Sequence, residues 1–194
     1  MLATALETPI SSLNPSATPT VASRVIDGAA IGDALAVPWV ESPFFERILA
    51  ALPCSAAERE LARFYHRNGY LIIEESILDN IDVAHVDAYV AAHTPPNEGR
   101  LQDGWKGCPA VRAIATHPYV IALLEFLYLR RPIPFQTLNF STGTEQCTHS
   151  DFIHFSSLPA RFMAGVWVAL EDVGPAQGPL HYYPASHKLP EYDY

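Results

Sequence analysis

The sequence predicts an α+β fold, with helices in its first part and extended chain in its second. Three observations carry this reading. Apolar residues recur at helical spacing between Ser42 and Arg131, the pattern turns strand-like at Ile133 and stays so, and turn residues such as Gly143, Glu171-Asp172 and Gly174-Pro175 divide that second part into short runs.

Taken in order, residues 1–40 are rich in Ala, Ser, Thr and Pro without a sustained period and read as a flexible, extended or poorly ordered arm. Residues 41–194 read as one domain, helical over 41–132 and strand-rich over 133–194. Ser42-Pro43 supplies a cap and a first-turn proline for a short helix through Leu52. Ser55 with Glu58 makes a capping box, and Leu61, Phe64 and Tyr65 form an apolar stripe that stops at Asn68-Gly69, which sets a helix over about 56–67. Tyr70 to Glu74 is an apolar run of strand length. Asp79 or Asn80 caps a helix that runs to about His93, and the segment from Thr94 to Gly107 reads as a loop in which Trp105 packs. Ala110 to Ala115 and Pro118 to Leu129 read as helices, the second apolar enough to be buried. Arg130-Arg131-Pro132 ends it, with charge placed favourably at a helix C-terminus.

Beyond Ile133 an extended chain turns Phe135, Thr137 and Asn139 one way and Gln136, Leu138 and Phe140 the other. Gln136 and Asn139 are polar residues in an apolar run and need partners, either the backbone or a bound small molecule. Phe162 to Leu170 reads as a buried strand, and Leu180 to Tyr183 as another.

Composition narrows the function. The chain has 194 residues, enough for one domain with a core, and a formal net charge of −9 argues against nucleic acid or an anionic membrane surface as partner. Three cysteines, Cys54, Cys108 and Cys147, are an odd number without paired spacing and predict a reducing, cytoplasmic setting. No signal peptide or membrane-spanning run is expected. A Gly-x-Ser-x-Gly elbow for serine chemistry is absent from the sequence.

The stretch Gln146-Cys147-Thr148-His149-Ser150-Asp151 carries the chemistry. On a strand His149 and Asp151 point the same way with Cα atoms roughly 6.6–6.8 Å apart, so an imidazole and a carboxylate converge on one ion. One histidine and one carboxylate are two thirds of the facial triad that holds non-haem Fe(II). The plain alternative is a turn-forming Ser-Asp after a buried strand. Cys147 is too far from Asp151 to share an ion with it, about 13 Å along a regular strand. His154 has the opposite parity and is expected to face away.

Four pieces in order, Pro134-Phe-Gln-Thr-Leu-Asn-Phe140, Gln146 to Phe155, Gly165 to Val173, and Gly178-Pro-Leu-His-Tyr-Tyr-Pro-Ala-Ser-His-Lys188, resemble the phytanoyl-CoA dioxygenase family. The resemblance implies a double-stranded β-helix of jelly-roll, cupin-like type with the N-terminal helices packed on it. It implies Fe(II) as metal, 2-oxoglutarate as cosubstrate and O2 as co-reactant, and hydroxylation of a small organic molecule or acyl derivative. His149 and Asp151 match the family's first two iron ligands, Trp167 matches a tryptophan near the cosubstrate, and Gln136 and Asn139 lie on a strand that borders it. Ala185 replaces a glycine in the family's Pro-Gly-Ser-His-Lys turn. The family's second iron histidine and its arginine for 2-oxoglutarate have no counterpart before Tyr194, since His181 and His187 fall in the wrong place. The chain is therefore expected to be the N-terminal portion of a longer protein or a truncated product. A non-catalytic cupin-like binding module with a degenerate metal site is the competing expectation.

Overall fold

The computed structural model describes residues 36–73, 77–143, 146–155 and 157–190. Five α-helices and one two-stranded antiparallel ribbon occupy them: α1 (Phe45–Ala51), α2 (Ala56–Asn68), α3 (Val83–His93), β1 (Arg100–Gln102), α4 (Pro109–Ala115), α5 (Pro118–Tyr128) and β2 (Leu138–Phe140). The class is α+β, as expected.

Local chemistry sets most helix ends. Ser55 Oγ accepts from the Glu58 N–H at 3.2 Å while Glu58 Oε2 accepts from the Ser55 N–H at 2.6 Å, so α2 starts at the expected box. It stops at Gly69, whose φ of +82° suits a residue without a Cβ. The Arg59 guanidinium on α2 donates to the carbonyls of Leu49 and Leu52, at 2.6 and 2.9 Å, and so closes the C-terminal end of α1. Helix α1 begins later than Pro43, because Ser42 Oγ accepts from the Phe44 N–H and holds that residue outside the helix. Helix α3 takes Asp82 as its cap, not Asp79 or Asn80; Asp82 Oδ1 accepts from the His85 N–H at 3.0 Å.

Two cores result. In the first, Trp39, Val40, Phe45, Leu49, Leu52, Ala62, Leu127 and Tyr128 are buried. Trp39 stacks on Phe45 and donates Nε1–H to the Phe126 carbonyl at 3.0 Å. Pro38 to Val40, which composition had assigned to the arm, are thus core residues, and the ordered body starts earlier than position 41; residues 1–35 of the expected arm lie outside the described residues. The second core joins Val86 and Val90 of α3 to Cys108 and Val111. By length and composition the 20-residue run Pro109–Tyr128 can cross a membrane, contrary to the sequence expectation. It divides at Thr116–His117 into α4 and α5, and Val111, Val120, Leu127 and Tyr128 are buried in the protein.

The strands depart most from expectation. The loop over 94–107 contains β1 and a 3-10 turn at Gly104–Lys106. Strand β1 pairs with β2 in the register Arg100↔Phe140, Leu101↔Asn139, Gln102↔Leu138. Among the described residues, 70–73, 146–155, 162–170 and 180–183 form no ladder, and Glu74 lies outside them. A strand exists only through the hydrogen bonds of a neighbour, and 162–170 instead lies across the helices. Phe162 and Ala164 pack on the first core and Leu170 on the second. The double-stranded β-helix is therefore not formed by the described residues.

Candidate metal centre

Ser150 and Asp151 are turn-forming residues, and Asp151 opens a 3-10 turn over Asp151–Ile153 where a strand was expected. The Asp151 carbonyl accepts from the N–H groups of His154 and Phe155, both at 2.9 Å. Ser150, between the pair, keeps an extended backbone, and His149 Nε2 lies 3.2 Å from Asp151 Oδ1.

The second ring nitrogen defines the first. His149 Nδ1 is 2.7 Å from the Cys147 carbonyl, which can only accept, so Nδ1 carries the hydrogen and Nε2 of the neutral ring presents a lone pair. Two acceptors then face one another at 3.2 Å. Such a contact calls for a cation between them, either a proton on Nε2 or a metal ion. Adjacent ligands with bonds of about 2.0–2.2 Å at right angles bring N and O about 3.0 Å apart, and the observed separation matches that. An imidazole and a carboxylate also suit Fe(II) chemically.

Further residues gather around the carboxylate. Gly165 faces it closely, since a Cβ there would lie 3.7 Å from Asp151 Oδ2. Burial, and then the Asp151 charge, push the Tyr182 phenol above its ordinary range. That ring stacks on Tyr70 at 5.4 Å between centroids. The His154 ring stands edge-on to His149 at 6.0 Å. It was expected to face away, but the 3-10 turn resets strand parity. The Tyr70, Gly165 and Tyr182 neighbourhood had no sequence signal, because it depends on how three distant segments cross.

The remaining candidates sit apart or at the rim. Gln136 is half-buried in the extended lead to β2. Asn139 turns its buried Oδ1 to Gly104 across the ribbon. Trp167 is about half exposed, two residues beyond Gly165. Cys147 is an exposed free thiol. Trp105 packs in the second core, and Lys106 pairs with Asp103 at 2.6 Å. No group of three His, Cys, Asp or Glu able to hold a metal occurs among the described residues. His149 and Asp151 thus fit as two donors of an ion whose third the described residues do not bring.

Comparison with protein families matches residues 107–194 to the phytanoyl-CoA dioxygenase (PhyH) model. No curated protein and no solved structure matches the chain. The matched span begins just before α4 and takes in His149, Asp151, Gly165, Trp167 and Tyr182. Residues 107–194 are thus similar to the phytanoyl-CoA dioxygenase family.

Proposed function

We propose that this chain serves an Fe(II)- and 2-oxoglutarate-dependent dioxygenase that hydroxylates a small organic molecule or acyl derivative. The observation that carries the reading is the 3.2 Å approach of His149 Nε2 to Asp151 Oδ1 inside the family-matched span. When bound, iron with 2-oxoglutarate and O2 supplies the oxidising power for attack on an unactivated C–H bond.

The chain's own residues bind and orient. His149 gives Nδ1–H to the Cys147 carbonyl, which fixes its tautomer and aims Nε2 at the ion. The Asp151 carboxylate offsets part of the metal's charge, and the protonated Tyr182 phenol beside it is a hydrogen-bond donor. Gln136 and Asn139 bring amide donors and Trp167 an indole N–H, which suit the carboxylates of 2-oxoglutarate. The double-stranded β-helix of this family is the architecture in which these positions would converge.

The test is an anaerobic titration with Fe(II) and 2-oxoglutarate, read by the weak visible charge-transfer band of the chelate, with Asp151→Ala as control. A band lost in the control supports the reading. Absence of binding by a folded chain overturns it in favour of a non-catalytic cupin-like module.

A further inference from the structure

Beside the His149–Asp151 pair lies a cleft of about 390 Å3, lined by Phe135, His154, Phe155, Ser157, Phe162 and Met163. Its size is that of a small-ligand site. The backbone ties it to the pair, because the Asp151 carbonyl accepts from the N–H groups of both His154 and Phe155. His154 lines the cleft, and its ring lies 6.0 Å from that of His149.

The walls are apolar in effect as well as in name. Phe135 and Phe155 meet edge-on at 6.2 Å. The Ser157 hydroxyl is already used, donating to the Pro159 carbonyl and accepting from the Phe162 N–H, each at 2.8 Å. One face of Phe162 is covered by the Arg130 guanidinium, 3.9 Å from the ring centre. The lining contains no Asp, Glu, Lys or Arg, and His154 is its one titratable side chain. No acidic side chain, lysine or arginine lines the cleft to receive a charged group, whereas an aromatic or alkyl group meets Phe135, Phe155, Phe162 and Met163.

We infer that this cleft receives an uncharged aromatic or alkyl portion of the substrate. The inference rests on the oxygenase reading for the word substrate, while the preference for uncharged ligands rests on the cleft alone.

The chain has two methionines, Met1 and Met163, so methyl-13C-methionine labelling places one reporter in the cleft and one far along the sequence as an internal reference. The metal-free chain is titrated with neutral 1-naphthalenemethanol and, separately, with anionic 1-naphthoate. The Met163 methyl resonance is expected to shift by ring current with the alcohol, Met1 to stay fixed, and the carboxylate to bind at least tenfold more weakly. Phe135→Ala, at a side chain exposed enough for folding to survive its loss, should weaken the alcohol at least fivefold. A stationary Met163 signal, equal affinity for the two probes, or no effect of Phe135→Ala overturns the inference. Because no metal is present, a failed Fe(II) titration beside a successful naphthyl titration sinks the oxygenase reading and leaves the cleft assignment standing.

Discussion

The imidazole of His149 reaches the carboxylate of Asp151 across an extended Ser150, Nε2 to Oδ1 at 3.2 Å, immediately before the 3-10 turn over Asp151–Ile153. The pair is largely solvent-exposed, so it contributes little to folding; exposed pairs are worth about 0–1 kcal/mol. The role proposed for it is metal binding. Asp151→Ala and His149→Ala should each weaken Mn(II), an EPR-visible substitute for Fe(II), by tenfold or more while leaving the thermal midpoint within a degree or two. Unchanged Mn(II) spectra in both variants would remove the pair from the metal centre.

The capping box at the start of α2 is a clean stability test. Ser55 and Glu58 each satisfy the other's backbone N–H, and Ser55 is exposed, so its substitution disturbs no core. Ser55→Ala should cost about 1 kcal/mol in urea unfolding, and Ser55→Asp should restore most of it. An unaltered midpoint for Ser55→Ala would mean that the first turn of α2 is held by packing alone.

Helices were legible where one local device decided them. The Ser55/Glu58 box, the stop at Gly69 and the prolines opening α4 and α5 act within a turn of chain. Asp82 displaced Asp79 and Asn80 because three residues within four positions could all cap, and Asp82 is the one that starts the helix whose Val86 and Val90 pack into the second core. The strand-like second part was legible in composition and not in conformation. An apolar run such as 162–170 can cross helices or join a ladder, and the choice belongs to its neighbours. At the site, His149 and Asp151 were visible as residue types, whereas the 3-10 turn that follows them and brings in His154 was not read from the sequence. Tyr182 and Gly165 reach Asp151 only through tertiary crossing.

Trp39 anchors the first core through both its ring and its indole N–H. It stacks on Phe45 at 5.4 Å, meets Phe126 edge-on at 5.8 Å and gives its hydrogen to the Phe126 carbonyl. Trp39→Ala should cost about 3–5 kcal/mol. Trp39→Phe keeps most of the apolar contact but leaves the carbonyl unpaired, at about 1–3 kcal/mol. Trp39→Ala should lower the denaturant midpoint more than Trp39→Phe, and equal losses would assign the whole effect to the lost indole hydrogen bond.

His187 closes the C-terminal end of α2 and gives stability a pH dependence. Ala185 donates its N–H to the Asn68 carbonyl at 2.9 Å, and His187 Nε2 lies 3.2 Å from the His66 carbonyl, so Nε2 carries the hydrogen. Nδ1 is buried without a hydrogen-bond partner, and the ring lies where a Cβ on Gly69 would stand. Burial holds His187 below the ordinary histidine range, and the charges of Lys188 and Arg161 add to the effect. With the folded value the lower one, the unfolded chain takes up the proton first as pH falls. Stability is thus fully present above the unfolded value of about 6.5 and is lost below it, until the folded value is passed. Urea midpoints measured from pH 7.5 to 5 should show the parent losing its advantage over His187→Ala as the pH drops. Gly69→Ala, which strains a φ of +82° and runs into the imidazole, should cost more than about 1 kcal/mol. A parent-minus-variant difference that does not change with pH would detach His187 from the acid response, leaving its contact with α2 purely one of packing.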